Sequence, residues 1–173
     1  MKEVRGDVFD FIGREDICAI CITTNGIVGA NNQACMGAGT AGSASERWPG
    51  IRKVAGDKIR ANGNVPVIIG LIDQEGKYHL PDPESAMIKN YQCLIISFPT
   101  KNHFKDPAIP ELIKQSAEKL VKLADDCLLT KKIVIPAPGT GAYTGKLSWE
   151  KDVKPMIADI LDDRFLIAFL ESK

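Results

Sequence analysis

The sequence predicts an α/β fold in which helices cover both faces of a central sheet. Short apolar runs rich in β-branched residues recur along the chain, as is typical of strands buried on both faces. Segments with helical spacing of apolar residues alternate with these runs. At 173 residues with 45% hydrophobic content, the chain is expected to form one globular domain over 1–173.

The first third of the chain predicts two strands and two helices. Residues 4–11 are interpreted as a strand with a polar break at Gly6 and Asp7. The apolar run 18–24 is a buried strand. The segment 40–47 is a helix that must end before Pro49, and 51–61 is a second short helix.

The middle of the chain predicts a hairpin followed by another buried strand. Residues 67–72 and 77–80 flank the turn sequence Asp-Gln-Glu-Gly, which favours an antiparallel pair. The mostly apolar segment 93–98 is typical of a buried strand.

The last third predicts two strands and two helices. The helix 109–128 is the clearest element, because apolar residues recur on one face with charged residues between them. A strand at 132–136 follows, then a helix at 153–161 with Asp152 as N-cap, and a closing strand at 164–170.

Charged residues are absent from two glycine-rich segments. No Asp, Glu, Lys or Arg occurs in 17–45 or in 133–145, and each segment begins as a strand and continues into a loop that precedes a helix. Glycines let backbone N–H groups approach a ligand, and a helix N-terminus adds partial positive charge. Two such loops at strand ends would face a common crevice suited to a diphosphate. Glycines that merely serve tight turns are the alternative.

Several classes of protein are disfavoured. Neither loop has the P-loop spacing, and no G-x-G-x-x-G follows the first strand. The 22 basic residues balance 22 acidic ones, which argues against bulk nucleic-acid binding. No membrane span or secretory leader is expected, so a cytoplasmic location is the default. Cys18 and Cys21 are interpreted as packing residues on opposite faces of a strand, and no metal or cofactor is expected.

Six short motifs occur in order along nearly the whole chain and resemble those of the macro domain family. They are Gly-Asp-Val-Phe at 6–9, Thr-Asn at 24–25, Met-Gly-Ala-Gly-Thr-Ala at 36–41, Phe-Pro-Thr-Lys at 98–101, Pro-Ala-Pro-Gly-Thr-Gly at 136–141 and Leu-Ser-Trp-Glu at 147–150. The Phe-Pro-Thr-Lys segment resembles one branch, which includes terminal ADP-ribose glycohydrolases and bacterial antitoxins that remove ADP-ribose from DNA.

The resemblance implies a three-layer α/β/α macro domain with a central mixed, mainly parallel sheet and a cleft for ADP-ribose or an ADP-ribosylated macromolecule. It implies that Asp7 accepts from the adenine amino group, that the Val8 amide supports the adenine and that Asn25 contacts the distal ribose. Phe169 is a candidate to stack on adenine. The backbone groups expected around the diphosphate and distal ribose are those of Gly37, Ala38, Gly39, Thr40, Gly139, Thr140, Gly141, Ala142 and Tyr143.

The resemblance also implies a catalytic lysine at Lys101, whose amine could attack or polarise the anomeric carbon of the distal ribose. A solvated surface lysine is the alternative, and His103 is a second candidate for proton transfer. The expected activity is hydrolysis of an ADP-ribosyl linkage on DNA or protein. The second loop lacks a carboxylate, and the Met-Gly-Ala-Gly sequence is similar to that of domains acting on ADP-ribose 1″-phosphate. Phosphatase activity and non-catalytic recognition of ADP-ribose are therefore alternative hypotheses.

Overall fold

The computed structural model describes residues 1–81, 91–141 and 145–171. Its centre is a seven-stranded sheet with the order β1-β7-β6-β2-β5-β3-β4. The strands are β1 (Lys2–Arg5), β2 (Ile17–Thr24), β3 (Ile68–Asp73), β4 (Tyr78–His79), β5 (Tyr91–Pro99), β6 (Lys132–Pro136) and β7 (Phe165–Phe169).

The sheet is mixed and mainly parallel, as the sequence predicts. The first five strands in this spatial order, β1, β7, β6, β2 and β5, run parallel to one another. β3 pairs antiparallel with β5, and β4 pairs antiparallel with β3, with Leu71 opposite His79. The predicted hairpin is therefore confirmed at the sheet edge.

Helices lie on both faces of the sheet and follow strands in the predicted alternation. They are α1 (Gly39–Arg47), α2 (Ile51–Asn62), α3 (Pro110–Asp126) and α4 (Lys154–Ile157). α3 begins with Pro110 in its first turn, where the missing N–H costs nothing, and it ends before Leu128, which has a positive φ of 55°. No helix within the described ranges has the length and hydropathy needed to cross a membrane.

Alternating side chains of the strands point to opposite faces of the sheet and form two separate apolar layers. On one face, Ile20 and Ile22 of β2 pack with residues of α1 and α2. On the other face, Leu94 and Ile96 of β5 pack with α3 and α4. The three-layer α/β/α architecture follows from this division, because each face must be covered to bury its apolar side chains.

The first predicted strand is shorter than expected. β1 ends at Arg5, Gly6 takes a φ of +137°, and a 3₁₀ turn forms over Val8–Phe11. Asp7 caps this turn by accepting a hydrogen bond from the Phe9 amide at 3.1 Å. The polar break noted at Gly6 and Asp7 ends the strand because such a positive φ departs from extended backbone.

The predicted helix at 153–161 is also wrong in its start and length. A π-helical turn spans Trp149–Val153, and α4 has only four residues. Ser148 rather than Asp152 is the N-cap, since its hydroxyl accepts from the Lys151 amide. Asp152 instead accepts from the Ser148 amide at 2.7 Å, so it bonds back to the cap residue and does not cap a helix itself.

The two cysteines of the C-x-x-C sequence do not point to opposite faces. Cys18 and Cys21 both belong to the apolar layer on the α3 face, because the β2–β6 pairing shifts register between Ile17 and Ala19. Burial raises the pKa of both thiols. Protonated, buried thiols behave as small apolar side chains, in agreement with the packing interpretation.

Candidate functional site

The topology of the sheet implies a crevice where the chain leaves two neighbouring parallel strands in opposite directions. β2 and β6 are adjacent. β2 leads to α1 on one face of the sheet, whereas β6 leads to α4 on the other. Loops that diverge in this way leave a gap at the carboxyl ends of the strands, which is the usual ligand site of an open α/β sheet. Both uncharged, glycine-rich loops lie at this gap.

The first loop ends at the exposed N-terminus of α1. The N-cap residue is Ala38, which has no side-chain acceptor for the first helical amides, and Gly39 opens the helix with a φ of +60°. The Thr40 hydroxyl lies 2.9 Å from the Thr23 hydroxyl and accepts from the Thr23 amide at 3.2 Å. This pair fastens the helix start to the end of β2.

The middle of the first loop packs against α2. Val28 and Ala34 form an antiparallel bridge, so the segment folds as a small hairpin. The Ala34 amide donates to the Arg52 carbonyl at 2.8 Å, and Asn32 bonds to Asp57. A Cβ at position 56 would overlap the Asn32 carbonyl oxygen, so glycine at that position permits the close approach.

Asn25, expected at the distal ribose, uses its carboxamide to hold this loop in shape. Its Nδ2 donates to the Cys35 carbonyl at 3.0 Å, and its Oδ1 accepts from the Ile27 amide at 2.9 Å. One N–H and one acceptor position remain on the carboxamide. Asn25 therefore joins the two ends of the small hairpin at the tip of β2.

The second loop folds back on itself. Gly139 has a φ of +76°, and a Cβ there would lie 2.8 Å from Ile113 Cδ1. The Leu147 amide donates to the Gly139 carbonyl at 3.0 Å, and a Cβ on Gly145 would overlap the same carbonyl. The Thr140 hydroxyl donates to the Ala137 carbonyl at 2.9 Å. Ala142 and Tyr143 lie outside the described residues.

Each loop is followed by a helix, as the sequence predicts, but only the first leads directly into one. After the second loop, the π-helical turn begins at Trp149, eight positions beyond Gly141, and Ser148 caps it. The second loop therefore has no helix N-terminus directly behind it, and the partial positive charge of a helix end is available only at the first loop.

Five glycines of the two loops illustrate two different environments. Gly42, Gly139 and Gly145 are closely packed, because an added Cβ would press on neighbouring atoms. At Gly37 and Gly141, an added Cβ would meet no described atom within 4 Å. Neither residue has a positive φ. Packing within the described part of the chain thus leaves these two positions open to a side chain.

Asp7, Val8 and Phe169 meet at one end of the crevice. The Gly6 amide donates to the Phe169 carbonyl at 2.9 Å, which joins the ends of β1 and β7. The Phe169 ring packs edge-on against Trp149, with centroids 5.2 Å apart. Val8 is 2% exposed, and its side chain belongs to the apolar layer on the α1 face.

Lys101 lies at the other end, after β5. The Thr100 amide donates to the Thr24 carbonyl at 3.0 Å, and the Gly26 amide donates to the Asn102 carbonyl at 3.1 Å. Partial burial lowers the pKa of Lys101, and the nearby Asp106 carboxylate acts in the opposite direction. His103 stacks on Phe104, with centroids 4.4 Å apart.

The sheet order places the predicted site residues in a line. From β1 to β5 it presents Asp7, then the second loop, then the first loop and Asn25, then Lys101. Four strand intervals of about 4.8 Å separate the two ends by about 19 Å. An elongated ligand with a base at one end and a reactive group at the other fits this order.

Asn64 makes hydrogen bonds in this region that the sequence patterns do not indicate. Its Nδ2 donates to the Lys101 carbonyl at 3.0 Å and to Asn102 Oδ1 at 3.1 Å. In the sequence it merely follows Gly63, which caps α2 with a φ of +82°. A bond between residues 37 positions apart has no local signal. Within the described residues, no cluster of three or more His, Cys, Asp or Glu side chains is arranged for a metal.

Comparisons with solved structures give macrodomains. Thermosipho africanus DarTG in complex with ADP-ribose superposes with a TM-score of 0.69 at 20% identity over 98% of this chain, which spans only 42% of that chain. The macrodomain of Mycobacterium tuberculosis DarG gives 0.65 at 20% identity, covering 96% of this chain and 95% of that one. The macrodomain of Thermus aquaticus DarG gives 0.62 at 20% identity, covering 97% and 96%.

No family model and no curated protein sequence matches the chain. The structural likeness at 20% identity establishes the fold. The chain has the macrodomain fold, as the resemblance of its motifs implies.

Proposed function

We propose that this chain binds ADP-ribose in the crevice between the two glycine-rich loops and hydrolyses an ADP-ribosyl linkage with Lys101 as the catalytic residue. The observation that carries the proposal is that an added Cβ at Gly37 or Gly141 would meet no described atom within 4 Å. We attribute glycine at both positions to the close approach of a ligand to the backbone. A diphosphate held by amides suits two loops without charged side chains.

The line of residues along the sheet assigns each part of ADP-ribose to a place. The adenine lies beside Asp7, Val8 and Phe169, where the carboxylate accepts from the exocyclic amino group. The diphosphate lies against the amides of 37–40 and of 139–143, with the N-terminus of α1 behind it. The distal ribose lies beyond Asn25 and reaches Lys101. The ADP-ribose complex of a protein with the same fold supports this choice of ligand.

The chemistry of Lys101 follows from its partly buried position. Burial lowers the pKa of the ammonium group and increases the neutral fraction of the amine at a given pH. In the proposed step the amine forms a bond to the anomeric carbon as the bond to the modified group breaks, and that group takes up a proton. Water then releases ADP-ribose and restores the amine.

The pH dependence of turnover should reflect this group. Because the neutral amine is the reactive form and its pKa is lowered, kcat should rise with pH through a pKa below the ordinary lysine value of about 10.4. Replacement by arginine, which stays protonated, should abolish that rise together with turnover. A rate independent of pH between 6 and about 10 would contradict a lysine nucleophile.

The direct test of the proposed function is a hydrolysis panel. ADP-ribosylated DNA, a Glu-linked ADP-ribosyl protein and ADP-ribose 1″-phosphate are presented to the wild type, to Lys101→Ala and to Lys105→Ala. We expect Lys101→Ala to lower kcat by at least about 1,000-fold. Lys105, an exposed lysine of the same loop with its ammonium 5.9 Å from the Phe104 ring centroid, provides the matched control and should be neutral.

Each outcome of the panel separates the hypotheses. Release of ADP-ribose from DNA or protein supports the glycohydrolase, and release of phosphate alone supports the phosphatase. Calorimetric binding without turnover on any substrate supports a non-catalytic reader. Turnover that Lys101→Ala leaves unchanged contradicts the role of the lysine.

We also propose a cytoplasmic location and recognition limited to the modified group. Five free cysteines, of which three are buried, suit a reducing compartment. The net charge of zero gives no basis for holding a nucleic-acid backbone at large, so any nucleic-acid substrate would be recognised at the ADP-ribosylated nucleotide itself.

A further inference from the structure

Asn64 is the side chain that fastens the loop of Lys101 to the end of α2. Both of its amide hydrogens are committed, one to the Lys101 carbonyl at 3.0 Å and one to Asn102 Oδ1 at 3.1 Å. The Asn102 carbonyl in turn accepts from the Gly26 amide at 3.1 Å. The Lys101 loop is thus held on one side by the Asn64 carboxamide and on the other by the Gly26 amide.

The oxygen of the same carboxamide has an unusual position. Asn64 Oδ1 is the one buried side-chain nitrogen or oxygen in residues 1–81, 91–141 and 145–171 without a hydrogen-bond partner. The residue Asn64 lines a cavity of about 10 Å³ together with Thr24, Asn25, Cys35 and Ser97. A buried acceptor without a partner costs free energy. The two hydrogen bonds that Asn64 Nδ2 donates, and not its oxygen, therefore account for an asparagine at this position.

We propose that Asn64 is a positioning residue that aims Lys101 at the distal ribose. This inference rests on the proposed function of Lys101. The carboxamide fixes the carbonyl of Lys101 itself, so it sets the direction in which the lysine side chain leaves the backbone. Independently of Asn64, the Gly26 amide donates to the Asn102 carbonyl and ties the same loop to the residue that follows Asn25.

The physical basis is the sensitivity of a bond-forming step to geometry. A displacement of about 1 Å between reacting groups can lower a rate about 100-fold, whereas it changes ground-state binding little. Asn64 stands directly after the 12-residue helix α2, which provides a rigid base. Lys101 itself lies in a loop outside any helix or strand and needs an external support of this kind.

The test compares three substitutions at the end of α2. Asn64→Ala removes both donated hydrogen bonds, and Asn64→Ser keeps one short donor. The matched control is Asn62→Ala, which removes the bond from Asn62 Nδ2 to the Lys58 carbonyl at 3.1 Å. That bond does not reach the Lys101 loop. We expect Asn64→Ala to lower kcat about 10- to 100-fold with the Kd for ADP-ribose changed less than about twofold. Asn64→Ser should recover part of kcat, and Asn62→Ala should match the wild type.

A second readout does not depend on turnover. The rate at which an uncharged, amine-reactive reagent modifies the Lys101 amine is measured by mass spectrometry of the peptide that contains it. We expect Asn64→Ala or, if that variant does not fold, Asn64→Ser to change this rate at least about threefold, because the side chain loses its fixed exposure. Asn62→Ala should leave it unchanged. If the wild type hydrolyses no substrate, the proposed function fails, while this rate still decides the role of Asn64.

The proposal is overturned by any of three results in folded protein. The first is a Lys101 modification rate that is the same in wild type and Asn64 variants. The second is a loss of kcat in Asn64→Ala matched by an equal loss of ADP-ribose affinity, which indicates general damage to the cleft. The third is an equal effect of Asn62→Ala.

Discussion

The two glycine-rich loops look alike in the sequence but are built by different means. The first is held from outside, through hydrogen bonds to α2 and through the Thr23–Thr40 pair, and it ends on a helix N-terminus. The second is held from within, through the Leu147-to-Gly139 bond and the close approach of Gly145. A glycine-rich composition therefore indicates an exposed backbone, but it does not indicate which contacts hold the loop in place.

Within each loop, glycine also serves two different purposes. Gly42 and Gly145 allow the backbone to pack on itself, whereas an added Cβ at Gly37 or Gly141 would meet nothing within 4 Å among the described residues. The first kind should respond to substitution through stability, and the second through ligand affinity. Separating these two responses is the sharpest way to challenge the assignment of the crevice.

The largest effect is expected for Gly141→Glu. A carboxylate placed in the open space of the second loop adds bulk and a like charge against the diphosphate, so ADP-ribose affinity should fall at least about 100-fold. Calorimetry measures the change, and circular dichroism verifies the fold.

Gly50→Glu provides the control for that variant. Gly50 is exposed, has a φ of −71°, and would place its Cβ 4.0 Å from Leu80 Cδ2, away from the loops. Equal affinity losses in the two variants, or retained affinity in Gly141→Glu, would show that the second loop does not contact phosphate.

A smaller effect, of the opposite kind, is expected for Gly56→Ala. The added Cβ would overlap the Asn32 carbonyl oxygen, so the small hairpin must move away from α2. This strain should exceed the gain in helix propensity of about 1 kcal/mol, and the free energy of unfolding should fall by about 1 to 3 kcal/mol. Denaturant unfolding measures it. A more stable Gly56→Ala variant would mean that the hairpin is not seated on α2.

The smallest effect is expected for Gly37→Ala. Its Cβ meets no described atom within 4 Å, so the free energy of unfolding should be unchanged or higher by up to about 1 kcal/mol. ADP-ribose affinity should fall about tenfold, because the methyl group occupies space used by the ligand. Paired calorimetry and thermal unfolding test both halves. A loss of stability with unchanged affinity would reverse the assignment.

The sequence predicts the fold to a large extent because the apolar runs are buried on both sides. β6 matches its predicted bounds, and α1 and α2 are each within one residue. The errors lie where local conformation overrides the pattern. The φ of Gly6 ends β1 early, and the register shift near Ala19 turns both Cys18 and Cys21 to one face.

The site is predicted less completely, because its parts meet through the sheet order. The two uncharged loops and Asp7 are visible in the sequence, and the neighbouring positions of β2 and β6 bring the loops together. The involvement of Asn25 in its own loop and the bond from Asn64 to Lys101 are tertiary contacts. No periodicity or motif indicates them, since each depends on loops folded against α2 and β5.

The most direct test of the crevice is an NMR titration of the ¹⁵N-labelled protein with ADP-ribose, read at the backbone amides. We expect saturable shifts at Gly37, Gly39, Thr40 and Gly141, with the amides of the small hairpin at 28–34 changing little. Saturable shifts confined to other surfaces, or no saturable shift at any amide of the folded protein at millimolar ADP-ribose, would contradict the account.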